Sequence, residues 1–156
     1  MSELSVGVVR ETAEGERRVA LVPKVVSTLV NKGVEVVVES GAGLGALIPD
    51  EQYVDAGATI GDPYSAEVVV RVAPPSDSEI AKLRDGQKLI GFLAPRNADN
   101  KIGDLKAAGI EAYAVEAIPR ISRAQVMDAL SSQANVAGYK SVIVAADLST
   151  RFFPML

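Results

Sequence analysis

Short runs of β-branched residues alternate along this chain with stretches whose apolar positions recur every three or four residues, a βαβα pattern. Leu4–Val9 predicts a first strand. Pro23, tolerated at the first position of a helix, opens an amphipathic helix to about Lys32, and Gly33 closes it. Val34–Glu39 predicts a second strand, and Pro49, Asp50 and Glu51 begin a short helix ended by Gly57. A strand over Glu67–Val72 leads through Pro74, Pro75 and Ser76 into a helix to about Leu83. Lys88–Phe92 is the next strand, Ala98–Ala108 a helix ended by Gly109, and Ile110–Val115 the last strand. Five or six strands joined by right-handed crossovers predict an α/β fold, flavodoxin-like or Rossmann-like, with a mostly parallel sheet and helices on both faces.

The last third reads differently. Ser122 to about Leu148 predicts one long helix, or two end to end with Gly138 as the break. From Val136 onward it is apolar on nearly every face, the pattern of a helix buried on all sides. It runs into the apolar tail Phe152, Phe153, Pro154, Met155 and Leu156. The pattern therefore divides the chain into an α/β domain over residues 1–135 and an interdomain helix and tail over 136–156. That tail points to a second domain that the sequence does not contain.

Composition narrows the chemistry. With 48% hydrophobic and 23% charged residues in 156, the chain has the make-up of one globular domain and not of a disordered segment. No apolar run reaches the roughly 20 residues of a membrane helix, and Met-Ser-Glu is no secretory signal. A net charge of −4 lacks the basic footprint of a nucleic-acid-binding protein. The sequence holds no cysteine and no histidine, so disulfides, thiolate nucleophiles, imidazole bases and the common zinc ligands are excluded. Chemistry here rests on carboxylates, amides, hydroxyls, Arg, Lys or a bound cofactor, in a cytosolic compartment.

Three stretches stand out. Gly41, Gly43 and Ala46 fit G-x-G-x-x-A, which brings backbone close to a pyrophosphate when a helix follows at once. Here Leu47 and Ile48 follow, the helix starts later, and no acid lies about 20 residues on at a strand end; a tight glycine turn explains the motif better. Arg10, Glu11, Glu14, Glu16, Arg17 and Arg18 form a charged loop at the carboxyl end of the first strand, the edge where open α/β folds bind ligands. Mixed charge in a loop is usually a solvated surface, but Arg18 is a candidate anion-binding residue. The third stretch runs from Pro119 to Asn135. On a helix, Gln125, Asp128, Ser132 and Asn135 make a polar stripe and Met127, Leu130, Ala134 and Ala137 an apolar one. Ser122 and Gln125 fit an S-x-x-Q capping box. Short amide and hydroxyl groups also suit a neutral polar ligand such as a carboxamide, with Arg120 as a cation and free amides at Ile121 and Ser122. Chemistry alone leaves Gln125 open between a helix cap and a ligand-facing amide.

The stretch RISRAQVMDALSSQANVAGYKSVIVAA (Arg120–Ala146) resembles the signature of the NAD(H)-binding, or alpha, subunit of proton-translocating nicotinamide nucleotide transhydrogenase. GVVRETAEGERRVALVP (Gly7–Pro23), ESGAG (Glu39–Gly43) and RFFPML (Arg151–Leu156) are similar to the same family, and the resemblance covers nearly the whole chain. Alanine dehydrogenase is the related family. Its members carry a lysine just after the strand matching Glu67–Val72 and a histidine after the strand matching Lys88–Phe92; the matching residues here are Ala73 and Ala94. Arg18 matches their carboxylate-binding arginine. The resemblance implies that NAD(H) lies between this domain and a following Rossmann domain. Arg120, Asp128 and Ser131 would hold its nicotinamide carboxamide, with the backbone of Ile121 and Ser122 nearby. Gln125 would be the catalytic, ring-aligning residue, reaching toward NADP(H) on the partner subunit. It further implies NADP(H)-binding and membrane-spanning partner subunits, a homodimer formed through the missing domain, and a cytoplasmic site peripheral to the membrane. Two rival expectations are an alanine-dehydrogenase-like oxidoreductase and a non-enzymatic flavodoxin-like binding module. In the second, Asp50 or Asp55 would be the imagined phosphoacceptor, although neither lies at the end of a predicted strand.

Overall fold

The computed structural model describes residues 4–152; Met1–Glu3 and the tail residues Phe153–Leu156 lie outside them. The chain forms two compact units, Met1–Ala117 and Ile118–Leu156.

In the first unit six strands form one sheet in which every pairing is parallel. The strands are β1 (Ser5–Val8), β2 (Glu35–Val38), β3 (Thr59–Ile60), β4 (Val68–Val70), β5 (Lys88–Gly91) and β6 (Glu111–Ala114), in the order β3-β2-β1-β4-β5-β6. This is the doubly wound Rossmann order rather than the flavodoxin one, and it puts the topological switch point between β1 and β4. The two-residue β3 and the 3-10 turn Pro63–Ser65 are additions to the sequence pattern, since neither is long enough to show a period.

Helices α1 (Pro23–Val30) and α2 (Asp50–Asp55) cover one face, and α3 (Asp77–Ile80) and α4 (Ile102–Ala107) the other. Alternation along the strands supplies both cores. Val8, Val36 and Val38 pack with Val26 of α1 and Tyr53 of α2, while Val9, Val69 and Leu89 pack with Ile80 of α3 and Leu105 of α4. Each such valine or leucine, when fully buried, contributes about 1.5–3 kcal/mol of transfer free energy. Gly7 is demanded by this layering. A Cβ there would collide with the Pro63 carbonyl, which packs directly against β1.

Two helices are shorter than their patterns suggest. Helix α3 starts at a capping box in which Ser76 and Glu79 satisfy each other's backbone, and it ends at Ile80. Helix α4 starts at Ile102 rather than Ala98, because Asn100 accepts a hydrogen bond from the Ile102 amide (3.1 Å) and diverts the preceding residues into turns.

The second unit corrects the expected continuous helix. Ser122–Met127 is a 3-10 stretch, and α5 begins only at Ala129, running to Leu148 without a break at Gly138. The break lies at Asp128, whose ψ of 82° leaves the helical region and whose side chain caps α5. Within this chain no residue of α5 is buried, with Val136, Tyr139 and Val142 each more than half exposed, so the described residues do not supply the cover that its apolar pattern leads one to expect. Its apolar groups are spread around the axis, so no single face of α5 concentrates them against a core. No helix among the described residues is long and apolar enough to cross a membrane.

Candidate functional site

At the carboxyl edge of the sheet, the switch point is filled by the protein itself. Glu11, just beyond β1, accepts hydrogen bonds from the Val72 and Ala73 amides beyond β4 (3.1 Å for Ala73). It also lies 3.5 Å from the Arg71 guanidinium, which bonds Glu79 at 3.1 Å. The side chains of Glu11 and Arg71 are each 2% exposed and that of Glu79 6%, so this is a buried triad of two carboxylates and one cation. Thr12 donates to the other Glu79 oxygen at 3.2 Å, and the Arg71 Nε donates to the Ala73 carbonyl. The triad ties the charged loop after β1 to the ends of β4 and α3.

Arg71 and Glu79 were not among the candidates read from the sequence, yet both leave a signal there. A lone arginine inside the apolar run Glu67–Val72 must be buried, and a buried guanidinium needs carboxylate partners. Ser76 and Glu79 likewise spell a capping box ahead of an apolar residue.

The candidate Arg18 lies in the same loop. Its fork is closed on Glu16, with Nε–Oε1 at 2.8 Å and Nη2–Oε2 at 2.6 Å, and its guanidinium carbon sits 5.9 Å from the centre of the Phe92 ring. The Arg18 hydrogen bonds pull the Glu16 carboxyl down to about 2, against a smaller opposing effect of burial. A carboxylate with a depressed folded-state pKa stabilises the fold above its unfolded value, and that contribution is lost as pH falls through about 2. In an Arg18→Gln variant the Glu16 side-chain carbon, followed by NMR, should therefore titrate higher than in the parent, toward the ordinary glutamate range, with the backbone amides of residues 17 and 18 still holding it down in part. A midpoint still near 2 would show that something other than Arg18 sets it.

The glycine turn Gly41–Gly45 behaves as a tight turn. Gly41 has φ +76°, and Asp50 holds the turn by accepting from the Gly41 amide (2.9 Å) and the Ser40 hydroxyl (2.8 Å). A Cβ on Gly43 would lie 2.5 Å from the Ile48 carbonyl oxygen, so the chain's own packing accounts for this glycine. Asp50, one imagined phosphoacceptor, is thus engaged in holding the turn.

In the second unit, the residues from Arg120 to Ser131 form a largely exposed segment around the start of α5, with Ala124 buried. Ile121 is the residue flanking the 3-10 stretch, and it makes no side-chain cap. Ser122 therefore stands one position too far into the turn to cap it. Neither its hydroxyl nor the Gln125 amide has a partner among the described residues, so the expected capping box does not form. The helix-wide polar stripe through Gln125, Asp128, Ser132 and Asn135 is interrupted for the same reason. Asp128 takes the capping role: its carboxylate accepts from the Ser131 amide at 2.9 Å and the Ser131 hydroxyl at 2.6 Å. Ser131 lowers the Asp128 pKa, chiefly through its hydroxyl and then its amide, with a further contribution from the positive charge of Arg120. Asp128 and Ser131 are thereby brought together as a fixed pair of oxygens.

Residues 7–137 match the family described as alanine dehydrogenase/PNT, N-terminal domain. The chain belongs to that family. Within the alanine dehydrogenase/PNT family it resembles the NAD(P) transhydrogenase subunit alpha of Haemophilus influenzae, with 40% identity over 151 residues, covering 95% of this chain and 30% of that one. The solved transhydrogenase structure from Sinorhizobium meliloti superposes with a TM-score of 0.92 at 43% identity, covering 97% of this chain and 47% of that one. A solved L-alanine dehydrogenase superposes with a TM-score of 0.69 at 35% identity, covering 72% of this chain and 32% of that one. The transhydrogenase branch is thus the nearer of these, as the resemblance implied. The chain spans less than half the length of each relative.

Proposed function

We propose that this chain is the front domain of a transhydrogenase alpha subunit, contributing one wall of an NAD(H) site from which hydride passes to NADP(H) bound by a partner subunit. The observation that carries the reading over its alanine-dehydrogenase rival is the pair Ala73 and Ala94. Their amides are taken by Glu11 and Glu116 (2.6 Å for Ala94), and their methyl groups offer no proton-transfer chemistry. With no histidine in the sequence, a 2-oxo acid would find no imidazole to protonate it. Hydride transfer between two nicotinamides needs positioning instead.

The segment at the start of α5 fits a nicotinamide carboxamide in its donor and acceptor set. The amide NH2 of the carboxamide has acceptors in the Asp128–Ser131 pair, and its carbonyl has a donor in Arg120. Ile121 and Ser122 would line it with backbone. Asp128, locked by Ser131, would meet the ligand without reorganising. Gln125, exposed and with no partner among the described residues, would reach toward the second nucleotide and align the two rings. The bound dinucleotides supply the hydride donor and acceptor; the chain's own residues bind and orient. Coupling to proton movement belongs to membrane-spanning partner subunits, with this domain cytoplasmic and peripheral to the membrane. Residues 136–156 would lead into a second, NAD-binding domain through which the subunit dimerises.

The test is a reconstitution. The full-length subunit with its NADP(H)-binding partner should transfer hydride between NADH and an NADP+ analogue, and should not aminate pyruvate. Pyruvate amination with no transhydrogenation would reverse the assignment. The 156-residue chain alone is expected to bind NADH no better than millimolar, because half a cleft gives up most of the contacts that offset the cost of association. Nucleotide fluorescence saturating in the micromolar range would place the pyrophosphate site within these residues.

A further inference from the structure

One cleft at the carboxyl edge is not used by the function proposed above. It has a volume of about 220 Å3, lies beside the switch point on the β2 side, and is lined by Arg10, Arg17, Arg18 and the turn from Gly41 to Gly45, with Glu11 and Glu16 among its walls. We propose that this cleft binds a phosphate group between the guanidinium groups of Arg10 and Arg17.

The charges decide it. Both carboxylates in the wall are already engaged: Glu16 by the fork of Arg18, and Glu11 by the Val72 and Ala73 amides and Arg71. The two remaining cations are not matched. Arg10 uses its backbone amide on Glu39 (2.7 Å), but its guanidinium has no hydrogen bond or ion pair among the described residues. Arg17 gives only Nε, to the Gly45 carbonyl at 3.3 Å, which leaves both its terminal nitrogens for another partner. Two guanidinium groups that line one cleft with no ion pair among the described residues favour an anion there, although the Glu39 carboxylate lies on the Arg10 amide.

The glycines show how closely this turn packs against each of the two arginines. A Cβ on Gly45 would lie 2.9 Å from the Arg17 carbonyl oxygen, and one on Gly41, which has φ +76°, would touch Leu44 at 3.3 Å and Arg10 Cδ at 3.9 Å. The turn therefore lies directly against both arginines. Asp50 fixes it through the Gly41 amide.

Size and geometry choose phosphate. At about 220 Å3 the cleft falls below the roughly 300–1,000 Å3 of sites that enclose a whole small molecule, so it suits one group rather than a complete nucleotide. A carboxylate satisfies one guanidinium fork with its two oxygens. A phosphate has oxygens enough for two forks at once.

Titration of the 15N-labelled chain with inorganic phosphate at constant ionic strength tests this, with AMP and acetate as parallel arms. Saturable shifts confined to Arg10, Arg17 and Gly41–Gly45 are expected, and each charge-assisted fork lost should weaken binding by about tenfold or more. Arg10→Gln and Arg17→Gln, singly and together, should weaken phosphate binding without lowering the melting temperature, since both side chains are exposed. Tighter binding of AMP at the same residues identifies a nucleotide phosphate as the source; binding of phosphate alone identifies the free ion. Acetate binding as tightly as phosphate, shifts that never saturate, or a double variant that binds like the parent would overturn the proposal.

Discussion

Replacing Gln125 by alanine in the full-length subunit is expected to slow single-turnover hydride transfer at least ~100-fold, about 2.7 kcal/mol of barrier, while leaving NADH affinity and melting temperature unchanged. The structure sharpens the choice that the sequence left open. A capping glutamine would be bonded to the first turn, and its loss would cost about 1 kcal/mol of stability. Here the side chain is exposed and has no partner among the described residues, and Asp128 does the capping, so truncation removes no interaction among them. Gln125→Glu is the control. It keeps the length of the side chain but loses its N–H donors, so it should also fall in transfer rate if the amide aligns the second nucleotide. Full transfer by both variants would end the claim, whatever their stabilities.

The largest effect on stability is expected at Arg71. Arg71→Met leaves Glu11 and Glu79 buried with no cation between them, and breaking a buried pair in this way costs about 3–5 kcal/mol. That is a large share of the roughly 5–15 kcal/mol by which a domain is stable, so the urea midpoint should move far. Adding Glu79→Gln to Arg71→Met should recover part of the loss, because it removes one of the two stranded charges. The pH dependence follows from Glu79. Burial pushes its pKa up, but hydrogen bonds from Ser76 and the charge of Arg71 outweigh this and leave it below the ordinary value. Its contribution is therefore fully present above the unfolded-state pKa and fades as pH falls through the lower folded one. In Arg71→Met the acid side of the stability profile should flatten. An unfolding free energy within about 0.5 kcal/mol of the parent at neutral pH would show that the triad is not a support of the fold.

Much of the first unit is legible in the sequence because its signals agree. The valine runs of β1, β2 and β4 are long enough to read, and Gly33, Gly57 and Gly109 mark helix ends with φ values of +79°, +92° and +71°. Strand order is not legible in this way, because a crossover to the left or right of β1 obeys the same handedness rule. The second unit misleads for a definite reason. Ser122 and Asp128 are both good caps six residues apart, and periodicity cannot choose between them; the carboxylate held by two Ser131 donors wins. The residues of the proposed nicotinamide site were reached through resemblance rather than through their pattern. What the structure adds there is the Asp128–Ser131 pair and the unoccupied hydrogen-bonding capacity of Gln125. The buried triad shows the converse: Arg71 and Glu79 carry a physical signal in the sequence that a search for ligand sites passes over.

Glu11 changes what the strand order of this sheet means for ligand discovery. A β3-β2-β1-β4-β5-β6 sheet invites a search for nucleotide analogues in the crevice between β1 and β4. In this protein that crevice already holds an anion, and the anion is covalently attached. A tethered group competes at the effective concentration of its tether, of millimolar order even for short flexible linkers. A compound directed there must outcompete an intramolecular carboxylate and then leave that carboxylate without its donors. Inhibitor screens on this domain are better aimed at the start of α5 and at the cleft lined by Arg10 and Arg17, where side chains such as those of Gln125 and Arg10 have no partner among the described residues.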